Sequence, residues 1–180
     1  MLRTLALIFV AGSMVAGCSI SSKLKKLDDE EYNHYMALRV YMDQPDARGE
    51  REKTERKDFL KLKTRTERDQ WLKDKGLWDR FYQYEPHIRQ KIIDGGVQVG
   101  WDKHMVYQSW GYPLIRRRLP GRKAQRSEMF IYRFEQLADG SHQVWQEGSK
   151  DTYKAARLYI KEVIVDDDFV AEIREKEATW

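Results

Sequence analysis

The chain has 180 residues, of which 34% are charged and 41% hydrophobic, and its mean hydropathy is −0.78. That composition excludes a multi-span membrane protein, while 12% aromatic residues supply large apolar side chains for a core. A single cysteine excludes an intrachain disulfide framework and a Cys-rich zinc module. The 33 basic and 29 acidic residues give a formal charge of +4, a mild excess that does not point to nucleic acid as a partner.

The first twenty residues set the compartment. Met1-Leu2-Arg3 is a short basic start, Leu5 to Val10 is apolar, and Ala11-Gly12-Ser13-Met14 relaxes the run with small residues. Val15-Ala16-Gly17 then leads directly to Cys18. This is the shape of a secretory signal, too short for a permanent span. It resembles the bacterial lipoprotein signal, the lipobox, in which the cysteine is acylated and the chain is cut before it. Residues 1–17 are thus expected to be a lipoprotein signal peptide, Cys18 the lipidation site and 18–22 a polar, lipidated tether. The alternative is a chance cysteine in an ordinary signal peptide or a short core helix. Acylation needs a cysteine because the thiolate is the nucleophile. Each buried CH₂ of an acyl chain such as palmitate contributes about 0.8 kcal/mol, so several chains hold a soluble domain on a membrane. Ser19 stands where an Asp, in the lipoprotein class, tends to retain the protein at the inner membrane; its presence implies the outer membrane, periplasmic face.

Residues 23–94 read as a helical region. From Lys23 to Met42, Leu24, Leu27, Tyr35, Leu38 and Met42 fall near one helical face, with a charged gap around Glu31. Gln44-Pro45-Asp46 ends that helix and Gly49 marks a loop. Glu50 to Leu62 reads as a charged helix, and Thr64 with Glu67 has capping-box spacing for a helix through Leu72. Gly76 interrupts. Pro86 opens a short helix that ends at Gly95-Gly96.

Residues 95–180 read as an α+β region. Trp101 to Trp110 is helical, with Gly111-Tyr112-Pro113 ending it. Glu128 to Glu135 alternates, with Phe130, Tyr132 and Phe134 on one side. Asp139-Gly140 signals a hairpin, Val144-Trp145 begins a short return strand, and Arg157 to Val165 is β-rich. Asp166-Asp167-Asp168 reads as a turn before a last strand, Phe169 to Arg174. Helices first and strands after argue for an α+β domain with helices packed on an antiparallel sheet.

No catalytic, metal or cofactor residue stands out. His34, His87, His104 and His142 show no i, i+4 pair, and no metalloprotease, serine-hydrolase or phosphate-loop motif appears. The Asp166–Asp168 run is read as a solvated turn that discourages edge pairing rather than a Ca²⁺ or Mg²⁺ site, since it lacks EF-hand spacing. Trp71, Trp78, Phe81, Tyr82 and Tyr84 are read as core rather than as a binding surface. Arg116, Arg117, Arg118, Arg122, Lys123 and Arg126 put six cations in eleven residues with no acid among them. They are either a solvated loop or a contact for anionic lipid or an acidic protein surface.

Gly100, Val106, Gly111 and Pro113 spell G-x5-V-x4-G-x-P, preceded by Ile92, Ile93 and Val97. The segment resembles the central signature of the SmpA/OmlA/BamE family of small outer-membrane lipoproteins, in which a glycine opens a short helix, an apolar residue packs beneath it and G-x-P closes it. Gly111 suits a left-handed cap and Pro113 stops the helix. The resemblance implies two helices followed by a three-stranded antiparallel sheet, so a sheet of three or four strands is expected here. It also implies a lipid-anchored, non-enzymatic binding or accessory factor, with outer-membrane protein assembly as the candidate task and an envelope protein as partner. The chain departs from the family in the long helical region ahead of the motif and in the bulk of Trp101 and Trp110. Phe59, Leu62, Thr64, Glu67, Arg68 and Trp71 more loosely resemble a helical stretch of GWxTD-domain proteins, a likeness that names no activity. An envelope hydrolase, or a scaffold lipoprotein of a motility or secretion apparatus, are the competing readings.

Overall fold

The computed structural model describes residues 20–41, 54–145 and 155–178. The signal segment, Cys18 and the loop predicted at Pro45–Gly49 lie outside them.

The single helix expected over 23–42 is two, α1 (Ile20–Leu24) and α2 (Asp29–Tyr41). The charged gap is the start of the second. The Glu31 amide donates to Asp28 Oδ1 at 2.8 Å, and the Asp28 amide to Glu31 Oε2 at 3.2 Å, a reciprocal capping box. The segment read as a polar tether therefore runs into a helix at Ile20. The charged helix read over 50–62 is described as α3 (Thr54–Phe59). Next comes α4 (Arg65–Asp74), with the predicted capping box formed by Thr64 and Glu67, and Gly76 follows it at φ +66. The aromatic segment folds as α5 (Asp79–Tyr82), and α6 (Pro86–Ile93) carries Pro86 at its first position, where a missing N–H costs nothing. Asp102 caps α7 (Lys103–Trp110), its carboxylate accepting from the amides of His104 and Met105 at 2.7 and 3.0 Å.

Among the described residues five strands form one antiparallel sheet: β1 (Ile115–Arg118), β2 (Ser127–Gln136), β3 (His142–Val144), β4 (Arg157–Asp166) and β5 (Phe169–Glu177). The order is β1-β2-β4-β5, with β3 sharing the β1 side of β2. The α+β class expected from the sequence is the one observed, but the sheet has one strand beyond the three or four anticipated. The extra strand is β1, whose residues read as basic loop. Ile115-Arg116-Arg117-Arg118 has no apolar alternation; backbone pairing to β2, from Ile115↔Ile131 to Arg118↔Glu128, makes it a strand.

Period-two alternation places Phe130, Tyr132 and Phe134 of β2 on the same face as Val163 and Tyr159 of β4. That face packs with Phe81, Ile92, Trp101, Val106, Tyr107 and Trp110 in the larger core. A second core joins Tyr35, Leu38, Phe59, Leu60, Leu72 and Leu77. Helix α2 serves both: Tyr35 and Leu38 lie in the second, and Val40 and Tyr41 pack on the first. Phe81 and Ile92 come from the helical region yet sit in the sheet's core, so the change of pattern near residue 95 is not a packing boundary. The five aromatic residues weighed as a binding surface are core or core-packing: Phe81, Tyr82 and Tyr84 in the first, Trp71 and Trp78 against the second. Among the described residues no helix is long and apolar enough to cross a membrane.

Candidate interaction edge

The six cations of the basic cluster divide into two sets. Arg116 holds Glu128 with two bonds of 2.9 Å, its guanidinium 5.6 Å from the Phe130 ring centroid, and Arg126 reaches the same carboxylate at 3.3 Å. Arg122 forks onto Asp166 with bonds of 2.7 to 3.0 Å. The sequence shows no acid inside the cluster because its counter-ions come from β2 and from the end of β4. Arg117, Arg118 and Lys123 form the other set: they have no ion pair among the described residues.

The acidic run organises this corner. Asp167 and Asp168 take φ of 47 and 74, the two left-handed positions of a tight hairpin turn between β4 and β5. Asp167 accepts from the backbone amides of Gln125 and Arg126 at 3.4 and 2.9 Å, and Asp168 pairs with Lys103. Each of the three carboxylates is engaged, and Asp167 and Asp168 line a shallow surface depression with Gln125 and Arg126. No group of three or more His, Cys, Asp or Glu placed to hold a metal exists among the described residues. The Arg122 fork holds the Asp166 carboxyl below the usual range, and the Lys103 ammonium does the same for Asp168. At Glu128 burial pushes the carboxyl up, but hydrogen bonds and charge from Arg116 and Arg126 outweigh it and leave the group below its ordinary value.

Strand β1 itself is exposed at all four positions. It forms an edge of the sheet, and beside its cations lie exposed apolar side chains, Leu114 at 40% and Ile115 at 37%. The Tyr112 ring just ahead is 5.0 Å from the Arg39 guanidinium. Sequence reading caught the cations but not the strand, nor the aliphatic Leu114 and Ile115 at its start. The signal available was Leu114-Ile115 directly before the arginines, between Pro113 and Pro120.

The glycine-and-proline motif frames α7. Gly100, at φ +88, donates its amide to the Val170 carbonyl at 2.8 Å, tying the start of α7 to β5. Val106 is fully buried beneath the helix, and Pro113 is buried after it. Gly111 is not the left-handed cap expected: its φ 71 and ψ −149 lie in a region essentially reserved for glycine. A Cβ there would stand 3.1 Å from Met36 Cε, and the Gly111 carbonyl accepts the Tyr132 hydroxyl at 3.1 Å. The glycine thus lets α2, α7 and β2 meet.

The histidines are spread out. His34 is buried edge-on to Phe81; His87 is exposed; His104 Nδ1 shares a 3.3 Å bond with the Tyr41 hydroxyl; His142 Nδ1 shares one of 2.8 Å with Tyr159. No histidine ring hydrogen bonds to a carboxylate among the described residues, and none lines the depression beside Asp167. No protein-family model matches this chain, and neither a curated protein nor a solved structure matches it.

Proposed function

We propose that the chain is a lipid-anchored outer-membrane lipoprotein whose domain is a non-enzymatic binding or assembly accessory factor of the bacterial envelope. Its contact with an envelope protein is the β1 edge with the adjoining loop. One observation carries the assignment of that contact: Arg117 and Arg118, next in the chain to exposed Leu114 and Ile115, and Lys123 in the adjoining loop stand exposed with no counter-ion among the described residues, while their neighbours Arg116, Arg122 and Arg126 are neutralised from within the fold. Uncompensated charge next to apolar surface favours a partner that supplies the opposite charge and covers the apolar side chains.

Acylation at Cys18 supplies the rest of the mechanism. It confines the domain to one membrane, raising its effective concentration beside membrane partners, so a modest contact suffices. The resemblance of Gly100, Val106, Gly111 and Pro113 to the SmpA/OmlA/BamE signature makes outer-membrane protein assembly the candidate task.

The test is co-purification of the full chain from detergent-solubilised envelopes, with mass spectrometry of the mature amino end. An acylated Cys18, and an envelope protein retained by the native chain but lost with R117E/R118E, are the expected results. A free Cys18 thiol on the exported protein, or equal retention by both forms, overturns the reading.

A further inference from the structure

The two edges of the sheet are built differently. On β5 each charged side chain is paired. Arg174 forks onto Glu172 at 2.6 and 2.8 Å, Lys176 reaches Glu162 at 2.8 Å, and Arg157 holds Glu175 and Glu177. The start of β5 is also covered, because the Gly100 amide donates to the Val170 carbonyl and the Val170 amide to the Trp101 carbonyl at 2.7 Å. An edge with alternating, satisfied charges and a covered end is closed to further pairing.

Strand β1 is short and charged, which discourages pairing with a neutral or basic strand, but no backbone covers its end and Arg117 and Arg118 have no counter-ion among the described residues. It pairs only with β2 among the described residues, which leaves its outer row of N–H and C=O groups without a strand. Arg117 shares a face with Ile115, Met129 and Ile131, and Arg118 shares the opposite face with Arg116 and Phe130. The two cations, without a counter-ion among the described residues, therefore project on both sides of one edge. A second copy pairing through β1 would set arginine against arginine, which like-charge repulsion disfavours. The same repulsion selects what can pair.

We infer that β1 is a strand-addition site for an extended, acidic segment of the partner protein. The incoming strand bonds to the outer backbone row of Ile115–Arg118, places carboxylates opposite Arg117 and Arg118, and covers Ile115 with an apolar side chain. Backbone pairing supplies the affinity, and the two adjacent carboxylates, one on each face, select the register. This deepens the proposed function by naming the chemistry of its partner, and it rests on that reading only for the partner's location in the envelope.

The experiment uses the native full chain in detergent and a synthetic peptide containing Glu-Glu-Thr-Val, which in antiparallel pairing sets its two carboxylates opposite Arg118 and Arg117 and its Val opposite Ile115. The controls are its Gln counterpart and a version N-methylated on alternate residues, which removes one edge of donors. The acidic peptide is expected to bind with salt-sensitive affinity, at least about tenfold tighter than the Gln peptide. Amide exchange over residues 115–118 should slow on binding. N-methylation should abolish that protection. R117Q/R118Q should weaken binding about tenfold while Tm stays unchanged. Binding that survives N-methylation, or that leaves exchange over 115–118 unaltered, overturns strand addition. So does protection of β1 by vesicles of phosphatidylglycerol and phosphatidylcholine but not by the peptide, which assigns the edge to lipid. If the peptide fails while an envelope protein is still captured in a manner dependent on Arg117 and Arg118, strand addition falls and the proposed function stands. If capture fails, the function falls whatever the peptide does.

Discussion

His34 ties the stability of the fold to pH in the neutral-to-acid range. It is 4% exposed, and burial first, then the Arg65 charge, lowers its pKa from 6.5 to about 4. The folded protein therefore refuses a proton that the unfolded chain accepts. The contribution of neutral His34 is fully present above pH 6.5 and is lost as the pH falls from there to about 4, by about 3 kcal/mol in all. The carboxylates held low by their partners act in the same direction at lower pH: Glu128 loses its contribution as the pH falls below 4.5, and Asp166 and Asp168 below 3.8, under the histidine window. Denaturant midpoints followed through the window should fall in the native protein and level out in His34→Leu; parallel profiles would remove His34 as the cause. Nearby, Glu31 and Arg68 form a buried pair at 2.7 Å, completed by a bond of 3.0 Å from Arg68 to the Leu62 carbonyl. That pair fixes α4 against α2, because a buried charge left alone costs several kcal/mol.

At the scale of elements, short helices depend on their ends. Helix α4 has ten residues and a reciprocal cap: the Glu67 amide donates to Thr64 Oγ1 at 3.2 Å, and the Thr64 amide to Glu67 Oε2 at 3.1 Å. Thr64→Ala should lower unfolding free energy by about 1 kcal/mol. Thr64→Ser should restore it, a comparison read from the shift in urea midpoint at constant m. That cap was legible in the sequence because its chemistry is local, three residues apart, as were Pro86 at the start of α6 and the turn at Asp166–Asp168. The break between α1 and α2 was not. Glu31 looks like a charge interrupting an apolar stripe until its carboxylate is seen bonding back to Asp28. Strand β1 was illegible for a different reason: four exposed residues carry no pattern, and only pairing to β2 gives them a conformation. The candidate site was half legible. Its cations stand together in the chain, but their sorting into neutralised and free depends on Glu128 and Asp166, which other strands deliver.

The whole molecule is held together by α2, which runs between the two cores. Leu38 is 1% exposed at the centre of the second core, while Val40 and Tyr41, two and three residues on, pack against the first. Asn33 adds a 3.1 Å bond from its side-chain amide to the Ile92 carbonyl at the end of α6. The cores should therefore unfold together. Leu38→Ala should cost about 2–5 kcal/mol and move the tryptophan fluorescence and far-UV circular dichroism transitions by the same amount. Two separated transitions would mean that the helical extension is an independent unit.

Local chemistry, by itself, determined a good deal of this protein: the α+β order, the helix caps, the inward aromatic face of β2, the closing turn of the last hairpin and the clustering of cations after Pro113. These follow from periods and spacings of a few residues, within which backbone geometry and side-chain reach leave little choice. Only the tertiary structure decided that the helical extension shares the sheet's core, that Gly111 sits where three elements converge, and that β1 is an edge whose Arg117 and Arg118 have no counter-ion among the described residues. Those outcomes depend on contacts between residues far apart in the chain, where the partner that neutralises a charge or pairs a backbone is chosen by the fold.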